Sequence, residues 1–274
     1  MTPTGPCGMD NQRYYVRNEA LSYELDQEHT DGDLTALEMD LIADSLDGIR
    51  GAVHLCCGAG RHVAAFERRG IPSVGMDISP VLLKRARENA SPPGCLVQGN
   101  ALSVPLKSGS TDCVTLLGNS LCLFPAGSGK RIFEEVHRIL IPRGLFILDV
   151  PDPSYWASQL HGTRKTSQTV HTHTLGSIRW TWTRRSDPKQ RLMVSEEVLR
   201  FRDDARQHTR RLRFEFRVYD PEEACSLSER SGMHPERRFP CEDPTGRYKG
   251  MLRKRQILVF RRRPTPGDAH ELPG

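Results

Sequence analysis

The chain has 274 residues, 37% hydrophobic and 27% charged, which supplies one sizeable core with length to spare and excludes a fully disordered protein. The 39 basic and 34 acidic residues leave a net charge of +5, too weak by itself to imply a nucleic-acid partner. No apolar run approaches the about 18 residues of a membrane helix, and Met1–Asp10 lacks a basic-then-apolar leader, so a cytoplasmic protein is expected.

The opening dozen residues are rich in Pro and Gly and read as loose, and Tyr14–Glu28 then carries apolar side chains at helical spacing. In Asp33–Ile49, Leu34, Leu37, Leu41, Ile42 and Leu46 form one helical stripe behind the capping candidates Asp31 and Asp33. From Ala52 the pattern becomes strand–helix alternation. Strands are predicted at Ala52–Cys56, Ser73–Met76, Gly94–Gln98, Cys113–Leu117 and Leu145–Val150, with helices over His62–Arg69, Pro80–Asn89 and Gly129–Leu140. Strands separated by helices of this length predict a parallel sheet covered on both faces. After Pro151, Thr166–Thr183, Arg191–Arg202 and Thr209–Val218 alternate apolar and polar residues, with a turn signal at Ser186–Lys189, and predict three half-buried antiparallel strands. A helix over Pro221–Gly232 starts on Asp220, and a last strand, Arg255–Phe260, precedes a tail expected to be disordered.

The chemistry concentrates in A-V-H-L-C-C-G-A-G-R-H, residues 52–62. An apolar strand runs into glycines and then a helix, so Gly58 and Gly60 allow a sharp turn whose bare N–H groups can face a ligand. A glycine turn that merely closes a strand–helix connection is the alternative. Asp77 stands 17 positions after Gly60, at the end of the second strand. A carboxylate there suits a ribose diol, or it caps the helix near Pro80. Asn100, after the third strand, suits an adenine edge or the start of a turn. The fourth strand ends at Gly118 and Asn119, so four strand ends offer small or polar residues at one rim. Two other nucleotide motifs fail. Val63 stands where a dinucleotide fingerprint needs a small residue, and Gly127–Lys130 lacks the remaining residues of a phosphate loop. The eight cysteines include no C-x-x-C pair and suit reduced, small apolar residues; with the histidines they lack metal-ligand spacing, so no metal is expected.

Over about residues 33–262 the sequence resembles the class I S-adenosylmethionine-dependent methyltransferases. H-L-C-C-G-A-G-R-H is similar to the family's glycine-rich first motif, and G-M-D-I-S-P-V-L-L-K-R-A-R to its second-strand motif. Q-G-N-A-L-S-V-P-L, S-T-D-C-V-T-L-L-G-N-S and F-E-E-V-H-R-I-L-I-P-R-G-L-F-I-L-D-V-P resemble the segments that follow, and R-V-Y-D-P-E-E-A-C-S-L-S-E-R-S-G-M the final helix and turn. The resemblance implies a doubly wound, Rossmann-like α/β fold with a seven-stranded sheet and a small antiparallel β insertion. It divides the chain into an N-terminal segment and lid (1–32), a cofactor-binding core (33–152), a substrate cap (153–218), the core's final helix and strands (219–262) and a tail (263–274). S-adenosylmethionine is the implied cofactor. Cys56, Gly58, Gly60 and Arg61 would lie at its methionine end, Asp77 on the ribose, Ile78, Asn100 and Ala101 around adenine, and Gly118 and Asn119 beside the reacting methyl. Three positions depart from the family pattern. His54 and Asn100 replace acidic residues, and Cys56 replaces a glycine.

The implied reaction is transfer to a nitrogen or oxygen of a small-molecule acceptor. RNA or protein methylation, and a cofactor-binding protein without activity, are the alternatives. Tyr14, Tyr15 and Tyr23, in the segment that often lids the cofactor, and Asp152 and Trp156, after the fifth strand, are the substrate-side candidates. His29, His62, His171 and His173 are candidate bases, although for each taken singly an ordinary surface or packing role ranks first. The arginines of the insertion, from Arg179 to Arg217, suit either solvated strand faces or an anionic acceptor, with RNA ranked below a metabolite because stacked aromatics are missing. The oligomeric state is left open.

Overall fold

The computed structural model describes residues 32–89, 95–154, 163–172, 176–202, 206–242 and 253–264. The expectations for Tyr14–Glu28, His29, Trp156, His173 and the tail lie outside these residues. Helix α1 (Gly32–Ile42) and a short 3-10 turn lead into β1 (Ala52–Leu55), α2 (Arg61–Arg68), β2 (Ser73–Asp77), α3 (Pro80–Asn89), β3 (Cys95–Gln98), β4 (Thr111–Leu116), α4 (Ser128–Ile139) and β5 (Leu140–Pro151). The insertion supplies β6 (Thr163–Thr172), β7 (Gly176–Asp187), β8 (Leu192–Arg202) and β9 (Gln207–Arg217). Helix α5 (Pro221–Arg230), β10 (Met233–Glu242) and β11 (Lys254–Arg262) complete the chain.

Seven strands form one sheet in the order β3-β2-β1-β4-β5-β11-β10, parallel except that β11 runs antiparallel to both neighbours. Its central strands read as apolar runs because both faces are covered. One face packs Val114, Leu116, Phe146 and Phe260 with Ile132, Phe133 and Val136 of α4. The other packs Cys113, Ile147 and Ile257 with Ile42 of α1 and Phe66 of α2. Alternate residues of each strand thus feed two cores, which is the doubly wound layering that the alternation of strands and helices predicts.

Two strand expectations need correction. Strand β10 escapes a hydrophobicity reading because Pro235, Pro240 and the charged run Glu236, Arg237 and Arg238 interrupt it. It pairs only with β11, shifts register between Pro235 and Arg237, and tolerates proline as an edge strand does. The insertion has four antiparallel strands rather than three, because the span Thr166–Thr183 belongs to two strands, β6 and β7. One face of this second sheet is buried at Ile178, Met193, Ser195, Glu197, Leu199 and Phe214. The opposite face carries Arg179, Arg200, Arg202, Arg211 and Arg213, all exposed. Arg217 and Arg191 both bind Glu223 of α5, and Val218 donates to the Arg191 carbonyl at 2.8 Å, which ties the insertion to the core.

Candidate active site

The chain leaves β1 through three residues in the left-handed region: Cys56 at φ 53°, Gly58 at 54° and Gly60 at 82°. Only glycine adopts this region without strain. A Cβ at Gly58 would point into open space, whereas one at Gly60 would lie 2.9 Å from the Cβ of Ala86 on α3. Gly58 therefore leaves one side of the turn bare, and Gly60 lets α2 and α3 approach. Cys56 takes a strained conformation where the family has glycine. Cys57 does not block the rim, since its sulfur lies 3.0 Å from where a Cβ of Gly75 on β2 would be. Burial and then the neighbouring Asp77 carboxylate push both thiols above the ordinary range, so neither is a nucleophile at neutral pH.

Asp77 turns toward the glycine turn. Its Oδ2 accepts the Gly58 N–H at 2.8 Å and its Oδ1 the Ser79 N–H at 2.9 Å. The helix-capping alternative falls to Ser79, whose hydroxyl accepts the Leu82 N–H. The two N–H groups thus approach different oxygens of the one carboxylate. Ile78 is half-buried beside it. Asn100 starts a turn, as its alternative reading has it, with Oδ1 accepting from the Leu102 N–H at 2.9 Å. That donor fixes the amide's orientation and turns its N–H groups the other way. Ala101 is buried in the core with Val104 and Met76. Leu55 pairs with Met76, His54 with Thr115, and Asp77 with Gln98, so the ends of β1, β2, β3 and β4 stand side by side and bring these residues to one rim.

Gly118 and Asn119 leave β4 with φ of 79° and 57°. Asp149 of β5 accepts both backbone N–H groups, at 3.0 and 2.8 Å. Asp149 is fully buried, as are Arg255 of β11 and Glu38 of α1. Arg255 bonds Asp149 through Nη1 and Glu38 through Nη2 at 2.7 Å. Glu38 in turn bonds Arg61, directly and through Nη2 at 3.1 Å, and the His62 Nε2 at 2.8 Å. Burial alone would raise the Glu38 pKa, but Arg61, Arg255 and His62 together hold it well below the carboxylate range. Burial opposes the Arg255 charge, yet Glu38 and Asp149 raise its pKa further. Sequence reasoning missed Glu38, Asp149 and Arg255. Their only signal is a charged residue at an otherwise apolar position of α1, β5 and β11.

This network changes the setting of several expected residues. The Arg61 guanidinium is directed to Glu38 and Thr35. His62 is buried against Glu38, its pKa lowered by burial and by Arg61 against the pull of Glu38, so it is committed within the protein. His54, at the family's acidic position, is buried with Nδ1 2.8 Å from Thr115 Oγ1 and Nε2 3.1 Å from Ser73 Oγ. Burial, then the nearby His62, lowers its pKa to about 3, so it is a neutral core residue. Asp152 accepts from the Ser154 N–H at 3.0 Å and the Gln256 amide at 2.7 Å, at the rim end of β5. His171 is exposed on β6, bonded to Ser177. Tyr14, Tyr15, Tyr23 and Trp156 lie outside the described residues. Among the described residues, no group of three or more His, Cys, Asp or Glu is placed to hold a metal ion, and no helix is long and apolar enough to cross a membrane.

Comparison with known proteins adds the decisive observation. Residues 53–148, from β1 to β5, match the family model of a methyltransferase domain. The sheet order described above is that of the class I methyltransferase fold. An uncharacterized methyltransferase of Synechocystis is 37% identical over 105 residues, which cover 37% of this chain and 48% of that protein. The matched region thus spans about half the length of this curated relative. The CcbJ methyltransferase of Streptomyces caelestis shares the fold at a TM-score of 0.69 and 19% identity, over 92% of this chain and 99% of its own. CalS10, an amino pentose methyltransferase of Micromonospora echinaspora solved with S-adenosylmethionine bound, aligns at a TM-score of 0.65 and 18% identity, over 89% of this chain and 96% of its own.

Proposed function

We propose that the chain transfers a methyl group from S-adenosylmethionine to a nitrogen or oxygen of a small-molecule acceptor, bound between the strand ends and the buried face of the β insertion. Bound there, S-adenosylmethionine supplies a methyl already activated on a sulfonium. The bare turn at Gly58 and Gly60 borders the methionine end, with Arg61 anchored behind it by Glu38 and Cys56 at its edge. Asp77 accepts the ribose hydroxyls, held in place by its bonds to the Gly58 and Ser79 N–H groups. Ile78 and Ala101 flank the adenine, and the Asn100 amide donates to a ring nitrogen, a role open to it because the Leu102 N–H occupies Oδ1. Gly118 and Asn119 form the wall at the methyl carbon. The protein's work is alignment of acceptor atom, carbon and sulfur, an effect that can lower a barrier by up to about 7–11 kcal/mol.

The observation that carries this reading is the Asp77 carboxylate, set 2.8 Å from the N–H of a glycine turn whose open side faces away from the protein. On the acceptor side, β9 packs against the Ser120–Leu123 turn that follows Asn119. The buried face of the insertion sets Trp180 and Trp182, ring centroids 5.0 Å apart, beside the buried Glu197 carboxylate, which accepts from the Trp180 indole at 2.9 Å. Arg184 lies on the same face, its guanidinium 5.6 Å from the Trp182 ring, so this face offers aromatic rings with one carboxylate and one cation. The exposed arginines Arg179, Arg200, Arg202, Arg211 and Arg213 stand on the other face, while Arg210, opposite Leu199, is exposed on the tryptophan side. Titration calorimetry with S-adenosylmethionine tests the reading, and absence of heat at millimolar ligand would sink it. Mass spectrometry of candidate acceptors for a gain of about 14 daltons, the mass of CH₂, then identifies the substrate.

A further inference from the structure

One side chain that the proposed reaction does not touch joins both walls of the proposed site. Arg255 opens the paired stretch of β11, opposite Pro151 of β5, and has no exposed surface. Its guanidinium lies between two carboxylates, Asp149 on one side and Glu38 on the other. Asp149 has both oxygens on the Gly118–Asn119 turn, and Glu38 holds Arg61 and His62, the first two residues of α2 after the glycine turn. Three covalently distant elements therefore meet at one cation.

Stability alone is a poor reason for this arrangement, since a buried ion cluster is often no better than apolar residues of equal volume. What the cluster adds is direction. A planar guanidinium bonds two carboxylates at fixed angles, which an apolar contact or a point charge cannot do. Losing the Arg255 fork would leave the buried Asp149 carboxylate without the partner that fixes its orientation, so Asp149 would turn. The two N–H groups of the Gly118–Asn119 turn would then lose a fixed partner.

We infer that Arg255 is a positioning residue: through Asp149 it fixes the Gly118–Asn119 wall relative to the glycine turn that Glu38 secures through Arg61 and His62. This rests on the reading of that rim as the cofactor site, but its central test does not.

The test compares the full-length wild type with Arg255→Lys, which keeps the charge and gives up the fork. Amide hydrogen exchange at Gly118 and Asn119 should accelerate about 100-fold, while amides of β1 and β4 change less than about 3-fold. Affinity for S-adenosylhomocysteine should fall about tenfold by calorimetry. Uniform acceleration across the sheet would mean that Arg255 is only a stabilising residue, and unchanged exchange at Gly118 and Asn119 would overturn the inference outright. Wild-type protein that takes up no S-adenosylhomocysteine would defeat the cofactor reading, leaving the exchange result to decide the role of Arg255. Should the lysine variant not fold, Glu38→Gln, which removes one of the two carboxylates that orient the guanidinium, should give the same local pattern at smaller amplitude; no local change there would equally overturn the inference.

Discussion

His54 makes acid stability a quantitative test of the core. The imidazole has both nitrogens on hydroxyls, Thr115 Oγ1 and Ser73 Oγ, and its ring meets Phe66 edge-on at 4.6 Å. A proton would need a buried cation with no carboxylate in contact, and burial lowers its pKa from 6.5 to about 3. The unfolded chain takes up this proton below about pH 6.5 and the folded chain refuses it until about pH 3, so stability falls with pH across that window. The slope is about 1.4 kcal/mol per pH unit, so going from about pH 7 to about pH 4.5 should cost about 2.5 kcal/mol, or about 70-fold in the folding equilibrium. His54→Gln keeps a polar side chain for the two hydroxyls and removes the titration. Urea unfolding followed by far-UV circular dichroism at both pH values would measure the loss in each protein. Glu38, whose pKa is held low, and His62, whose pKa is also lowered, lose stability on acidification too, but in both proteins alike. The variant should therefore start less stable at neutral pH and lose about 2.5 kcal/mol less on acidification. Equal losses in the two proteins would mean that His54 already shares its proton in the fold, and the account of β1 as a neutral core strand would fail.

Other changes probe the rim. Cys56→Gly should raise stability by about 0.5–1 kcal/mol, since a side chain at φ 53° costs about 1–2 kcal/mol and the greater freedom of unfolded glycine returns part of it; a lower thermal midpoint would contradict this. Gly60→Ala should destabilise by about 2 kcal/mol or more, because its φ is 82° and the added Cβ would meet Ala86 at 2.9 Å. Asp77→Ala should weaken S-adenosylmethionine binding by about 1.5–3 kcal/mol in calorimetry, the range for hydrogen bonds to a charged group, and unchanged affinity would remove Asp77 from the ribose. If the exposed arginines of the insertion are solvated, a short RNA should not bind at micromolar concentration in about 150 mM salt; tight binding that falls steeply with salt would revive the polyanion alternative.

The core was legible where local chemistry and fold agree. Pro80–Asn89 begins and ends as its spacing predicts, and Asp220 caps α5 by accepting from the Glu223 N–H at 2.7 Å. The glycine turn was legible because Gly58 and Gly60 occupy backbone states that other residues rarely adopt. Strand β10 was not, since an edge strand with two prolines has neither alternation nor an apolar run. The hairpin of β6 and β7 was hidden inside one alternating stretch, because alternation fixes which face a residue takes but not where a strand reverses. The decoy at Gly127–Lys130 shows how a motif can be read correctly as empty. Gly127 supplies the φ of 88° that the turn before α4 needs, and a Cβ on Gly129 would lie 3.1 Å from Tyr219 and Leu227, so one glycine serves the turn and the other the packing of α4 near α5. The Glu38–Arg255–Asp149 cluster was out of reach for a different reason. Glu38 and Arg255 are 217 positions apart, and no local pattern announces that two charges will meet out of water.

The two turns of the proposed site are built on one physical device. Two of the strands that end at the rim hand their next turn to a carboxylate on a neighbouring strand: Asp77 of β2 accepts the Gly58 N–H after β1, and Asp149 of β5 accepts the Gly118 and Asn119 N–H groups after β4. Backbone N–H groups at such turns lack ladder partners, and a charged acceptor satisfies them more strongly than a neutral one would. The two carboxylates differ in their setting. Asp77 divides its oxygens between the Gly58 N–H and the Ser79 N–H that opens α3, whereas Asp149 gives both of its oxygens to one turn and pairs with Arg255. Asp149 holds a wall from inside the protein, while Asp77 stands at the rim where the proposed ribose lies. The same logic accounts for His54. With the rim's negative charge supplied by Asp77 and its rigidity by Asp149 and Glu38, the β1 position that is acidic in the family can carry a neutral imidazole without leaving the turns unsupported.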